Sequence, residues 1–122
     1  MEKDAKEGKN EFWCEDGILY YLMAAPVDEA EAVRLDEGGT EYLDSGEATQ
    51  VLIDLQQSTK FSSGARKIWV KFLQNPHIKK TAFFGGSVFV RTLASFVMTA
   101  THRDDIKFFL SKEEAMEWLQ KG

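Results

Sequence analysis

Thr81-Ala82-Phe83-Phe84-Gly85-Gly86-Ser87-Val88-Phe89-Val90-Arg91-Thr92-Leu93-Ala94 is the stretch on which the fold turns. A short run without a charge meets two glycines and a serine, and apolar residues then recur at spacings of three and four. That order reads as a strand buried on both faces, a tight turn, an N-cap and a helix. The same order flanks it on both sides. Val51–Leu55 leads to a helical stripe of Ala65, Ile68, Trp69, Phe72 and Leu73, with Ser62 as its cap and Pro76 beyond its end. Ile106–Leu110 leads to Ser111, with Glu114 three positions on as a capping box and Ala115, Trp118 and Leu119 as the apolar stripe. Strands alternating with helices in this way imply a parallel sheet with right-handed crossovers.

Before residue 50 the pattern changes. Glu11–Cys14 and Ile18–Met23, separated by Glu15, Asp16 and Gly17, read as a hairpin that Pro26 closes. Asp28 and Glu31 form a capping pair for a weak helix carrying Ala30 and Val33, which Gly38 and Gly39 are expected to end or break, with Tyr42 and Leu43 in a second short turn. The expected architecture is α/β, a single mixed, mostly parallel five-stranded sheet with about four helices. Residues 10–122 would form one domain after a charged flexible arm at 1–9. A 122-residue chain buries enough surface to need no disulfide or metal staple.

The single cysteine, Cys14, excludes an internal disulfide. With no secretory leader pattern and no apolar run near ~20 residues, the expectation is a cytoplasmic protein with no transmembrane segment. Charge is unevenly spread: residues 1–54 hold fifteen acids and four bases, whereas residues 55–103 hold eight bases and no acid. Either neighbouring acidic elements neutralise that basic middle within the fold, or it offers a face to an anionic partner or membrane surface.

Catalytic groups in such sheets gather beyond the carboxyl ends of the strands. His77 and His102 fall in loops entering strands, at the opposite edge, with no nucleophile beside them in the pattern. Cys14 lacks a CxxC partner and reads as a small buried hydrophobe. Asp54, near the end of a buried strand, suits a cap for the following loop better than an acid for chemistry. Gly85, Gly86 and Ser87 are a candidate anion site, although they lack the lysine of a P-loop and the spacing of a dinucleotide fingerprint, so a tight turn with Ser87 as N-cap is the simpler reading. The pattern gives no metal-ligand spacing, implies no cofactor and fits no nucleic-acid-binding motif. A non-enzymatic binding role follows.

These pieces, in their order and spacing across about residues 10–121, resemble the SpoIIAA-like family, which is related to STAS domains and grouped with SEC14-type domains. The most specific is the ending, Ile106-Lys107-Phe108-Phe109-Leu110 followed by Glu113-Glu114-Ala115-Met116-Glu117-Trp118-Leu119. The resemblance implies a regulatory or protein-interaction module, with an unknown protein as partner. Antagonists of anti-sigma factors carry Asp-Ser-Ser-Gly or Asp-Ser-Thr-Gly at the start of the helix after the third strand, with the second hydroxyl residue phosphorylated. This chain has Phe61-Ser62-Ser63-Gly64, with a loop one residue shorter and Phe61 in place of the acid. The resemblance therefore makes Ser63 the candidate phosphorylation site, and Ser62, Ser63, Arg66 and Lys67 the candidate partner surface. The SEC14 side of the grouping implies the alternative, binding of a lipid or other apolar small molecule.

The helix Val88–Ala100 adds a second clue. Val90, Leu93, Ala94, Val97 and Met98 make one stripe, while Phe89 and Phe96, with Val88 nearby, make another. A helix apolar on more than one side must be covered by neighbouring helices, by a second copy in a homodimer or by an apolar ligand. Val88, Phe89, Arg91, Phe96 and Met98 are the candidate ligand or oligomer face, with Arg91 and Arg103 expected near any anionic head group.

Overall fold

The computed structural model describes residues 9–121, so the arm expected at 1–9 lies, apart from Lys9, outside the described residues. The elements run β1 (Glu11–Glu15), β2 (Ile18–Leu22), α1 (Glu29–Asp44), β3 (Gln50–Asp54), α2 (Ser63–Leu73), β4 (Lys80–Phe84), α3 (Val88–Thr101), β5 (Ile106–Phe109) and α4 (Lys112–Gln120). They build one sheet in the order β1-β2-β3-β4-β5. β1 and β2 are antiparallel and every later pair is parallel. The mixed, mostly parallel five-stranded sheet with four helices is the fold expected from the sequence.

Side-chain alternation divides the sheet into two cores. Leu19, Tyr21, Val51, Ile53, Phe83 and Ile106 bury against α1, α2 and α3. Ile18, Leu52, Ala82 and Phe84 bury against Ala115 and Leu119 of α4. The centres of β3, Val51–Ile53, and β4, Ala82–Phe84, are apolar because helices cover both faces. α4 is held at its carboxyl end by side chains from the sheet: Gln50 Nε2 donates to the Leu119 carbonyl at 2.7 Å and Lys80 Nζ to that of Trp118 at 2.8 Å, supplying partners to carbonyls the helix leaves open. The Trp118 ring also lies between two cations, 4.9 Å from Lys80 Nζ and 5.7 Å from Lys107 Nζ.

α1 departs from expectation. It is one 16-residue helix that runs through Gly38 and Gly39, and its buried stripe is Ala32, Leu35, Gly39 and Leu43, while Ala30 and Val33 are exposed. The glycines allow close approach rather than a break. A Cβ on Gly38 would collide with the Phe12 ring, and one on Gly39 with the Tyr21 hydroxyl. That hydroxyl donates to the Leu35 carbonyl at 2.8 Å, so the helix seats directly on β1 and β2. Packing outweighs the ~1 kcal/mol that a mid-helix glycine costs.

Arg103 is also not where it was expected. Its guanidinium donates to the carbonyls of Leu73, Asn75 and Ile78 and forms a bidentate pair with Asp105. It closes the carboxyl end of α2 onto the entry to β4 and has no donor left for an anionic head group. His102 ends α3 in the left-handed conformation.

Candidate functional site

At the carboxyl edge of the sheet three loops meet. After β3 the chain runs from Leu55 to Phe61; after β4 come Gly85, Gly86 and Ser87; after β5 come Leu110 and Ser111. Gly85 and Gly86 adopt φ of 80° and 96°, a region open to glycine. A Cβ on Gly86 would lie 3.1 Å from the Leu55 carbonyl oxygen, and one on Gly85 would strike Gln56. The turn therefore packs flat on the neighbouring loop. Asp54 Oδ1 accepts from the Gln56 amide at 2.9 Å, the loop-capping role expected of it. Burial raises the Asp54 carboxyl above the usual range, while the Gln56 amide and Lys112 pull it back.

The approach to α2 is pinned. Val27 donates to the Lys60 carbonyl at 3.0 Å and Ser62 to that of Val27 at 2.9 Å. Ser62 caps α2, its Oγ accepting from the Ala65 amide at 3.1 Å. Ser63, the first residue of the helix, is exposed, and its hydroxyl enters no hydrogen bond among the described residues. One turn on, Arg66 Nη1 donates to the Phe61 carbonyl at 2.9 Å and Lys67 is exposed. Gly64 admits the Glu29 side chain of α1, whose carboxyl carbon would be 3.1 Å from a Cβ at that position. An acid thus stands beside the first turn of α2 although Phe61 occupies the acidic position of the SpoIIAA-like motif. Glu29 lies far away in sequence and nothing in the local pattern signals it.

Ser87 caps α3, its Oγ accepting from the Val90 amide at 3.2 Å, so the hydroxyl of the candidate anion site is already engaged by its own helix. Val88 and Phe89 follow at the same edge, 70% and 60% exposed, and Phe96, two turns along, is 65% exposed. Neighbouring helices do not cover this row. Met98 does not belong to it, because it packs against the main core. Arg91 is half-buried, with its guanidinium 6.0 Å from the Phe108 ring. Leu110, 74% exposed at the end of β5, joins the apolar groups of this edge; the sequence pattern placed it inside the last strand.

Between α2 and α3 lies a cleft of about 20 Å³ with an apolar wall, lined among others by Phe61, Arg66, Trp69, Leu93 and Val97. Ligand clefts run to roughly 300–1,000 Å³, so a lipid held against Phe89, Phe96 and Met98 would find no pocket here. Trp69 is 5% exposed, and its Nε1 has no acceptor among the described residues. A wider open depression of about 780 Å³ lies beside Asn10, Glu31 and Arg34, where the polar groups already bind one another: Glu31 takes hydrogen bonds from Arg34 and Asn10.

The histidines lie at the opposite edge, as their loops implied. His77 Nδ1 is 3.2 Å from Asp44 Oδ1, a carboxylate partner that the local pattern did not reveal, and both side chains are exposed. Within the basic middle Arg103 is paired with Asp105, and acidic α1 packs beside α2, yet among the described residues Lys60, Lys67 and Lys71 form no ion pair. No helix of the described residues is long and apolar enough to cross a membrane.

A family model described as Domain of unknown function (DUF7793) matches residues 12–122. No curated protein matches the sequence. Among solved structures, the anti-sigma factor antagonist SpoIIAA in its unphosphorylated form is similar with a TM-score of 0.70 at 9% identity, over 93% of this chain and 100% of that one. An anti-sigma factor antagonist from Mycobacterium paratuberculosis gives a TM-score of 0.69 at 14% identity, over 93% and 94% of the two chains. An uncharacterised protein of the DUF3478 family from Shewanella loihica, described as having a SpoIIAA-like fold, gives 0.67 at 18% identity, over 91% and 92%. The SpoIIAA-like fold expected from the sequence is the fold observed.

Proposed function

The chain belongs to the DUF7793 family, and from that premise we propose that it is a non-enzymatic regulatory module that binds a partner protein through the carboxyl edge of its sheet, with Ser63 as the position where charge controls binding. The observation that carries this reading is the division of labour between two adjacent serines. Ser62 is engaged as the cap of α2, while Ser63 is exposed beside it with an unengaged hydroxyl. The same fold appears in an antagonist of an anti-sigma factor solved in unphosphorylated and phosphorylated forms.

A phosphoryl group on Ser63 would add a charge of about −1.5 to −2 at the positive end of α2. Arg66 and Lys67 favour that charge and Glu29 opposes it. Arg66 is held by the Phe61 carbonyl, so a phosphate that recruits it releases the loop leading into α2. Partner recognition changes without loss of the fold. The histidines, at the far edge from Asp54 and Ser63, assemble no acid and base with them.

The test is a comparison of wild-type, Ser63→Ala and Ser63→Glu baits in lysate of the source cells, read by quantitative mass spectrometry. The expected result is a protein retained by wild-type and Ser63→Ala and depleted about tenfold or more by Ser63→Glu, an effect near 1.4 kcal/mol, with all three baits melting alike. Equal retention by all three would refute control through Ser63.

A further inference from the structure

The outer side of the α2–α3 pair presents three features together. Its cleft has an apolar wall. A buried indole at that wall, Trp69, has an N–H donor with no acceptor among the described residues, whereas buried tryptophans ordinarily find one. The two helices that wall the cleft also carry exposed Phe89 and Phe96 on α3 and exposed Lys67 and Lys71 on α2, in a segment, 55–103, that contains no acid.

We propose that the α2–α3 groove is the docking site for an acidic amphipathic helix of a protein partner. One bulky apolar side chain of that helix seats over the cleft between Phe89 and Phe96, and its acidic residues face Lys67 and Lys71. The proposal rests on the partner-binding reading above and adds a second contact, continuing from the Ser63 surface at Lys67 along α2 and α3, that selects the partner's chemistry.

Charge complementarity decides between occupants. A second copy of the chain would bring Lys67 and Lys71 against their own counterparts, and like charges at an interface are unfavourable. An anionic membrane suits the lysines and phenylalanines but not their neighbour. α1 packs beside α2 on the same face of the sheet and exposes Glu29, Glu37 and Glu41, so a plane resting on α2 and α3 meets those acids as well. A single helix, about 10–12 Å across and seated about 8–10 Å from its neighbours, fits the groove without reaching α1.

The chain has three tryptophans, so the indole N–H region of a ¹⁵N spectrum resolves them individually, and Trp69→Phe assigns the relevant signal. The labelled protein is titrated with a panel of synthetic helical peptides of about 15 residues carrying leucine at heptad spacing and glutamate between, and with the same peptides carrying lysine instead. The glutamate peptides are expected to move the Trp69 indole signal and the amides of α2 and α3, and the lysine peptides to leave them in place. Phe96→Ser combined with Lys71→Glu, both at exposed positions, is expected to weaken the effect about tenfold with an unchanged melting temperature. A stationary Trp69 signal, or equal response to both peptide types, overturns the proposal. So does binding to phosphatidylglycerol vesicles in preference to peptide, or a homodimer that Phe96→Ser dissociates. Shifts confined to residues 61–64 and 85–87 overturn the groove while leaving the Ser63 surface standing; groove binding in a protein whose Ser63→Glu bait behaves as wild-type does the reverse.

Discussion

Gly39 and Tyr21 form one fitted contact. Replacing Gly39 by Ala drives a methyl into the Tyr21 hydroxyl and is expected to cost on the order of 3 kcal/mol. Tyr21→Phe, which loses only the bond to Leu35, is expected to cost about 1 kcal/mol. Because the hydroxyl is part of the collision, the double variant should cost less than the two separate effects added, a coupling that urea unfolding of all four proteins measures. Arg103→Lys keeps the charge but not the planar fork that reaches three carbonyls and Asp105; a loss of about 2–3 kcal/mol is expected, and a loss under ~0.5 kcal/mol, the size of an ordinary surface change, would contradict its role in closing α2. Asp54 has the opposite sign to a stabilising carboxylate. Burial raises its folded pKa, so folding binds a proton and stability from this group falls as pH rises from the unfolded value through the folded one. Asp54→Asn, which keeps an oxygen for the Gln56 amide, should stabilise the protein at pH 7. The gain should shrink toward zero as pH falls to ~4 and below, where the unfolded aspartate is protonated as well.

The two serines that open α2 separate structure from regulation within one turn of helix. Ser62→Ala removes a cap and should lower stability by about 1 kcal/mol, whereas Ser63→Ala should change it by less than ~0.5 kcal/mol; equal losses in thermal unfolding would argue that Ser63, too, is structural. The caps were legible in the sequence because they depend on neighbours three residues apart, and Ser62, Ser87, Ser111 and Asp28 all cap where the pattern put them. So were β3 and β4, whose apolar centres reflect burial on both faces, whereas β5 was read from the same kind of run although, as an edge strand, it leaves Lys107 exposed. α1 was misread because its glycines look like breaks locally, and only β1 and β2, packed across them, make them spacers. Arg103 and Glu29 were missed or misplaced for the same reason: their partners lie 25 to 30 residues away for Arg103 and 35 positions along at Gly64 for Glu29. The outer row of α3 was legible as apolar, but its freedom from every neighbouring helix was not, because coverage is a property of the assembled layers.

The molecule divides its labour between the two edges of one sheet. At the amino edge Arg103 and the His77–Asp44 pair tie loops together. At the carboxyl edge the Ser63 turn, the flat glycine turn and three large exposed side chains, Val88, Phe89 and Leu110, lie beside bases that no acid of the described residues pairs. The acidic α1 packs next to α2, so on a chain of net charge −5 the proposed acidic partner would face the exposed lysines of α2 and be repelled by α1. Hydrogen–deuterium exchange of the chain, alone and in complex with the protein its wild-type bait retains, tests this placement most directly. The account requires slowed exchange at residues 61–67 and 85–89, with the β1–β2 hairpin and α4 unchanged. Protection confined to α4 and the hairpin, with the Ser63 turn exchanging as fast as in the free protein, would contradict it.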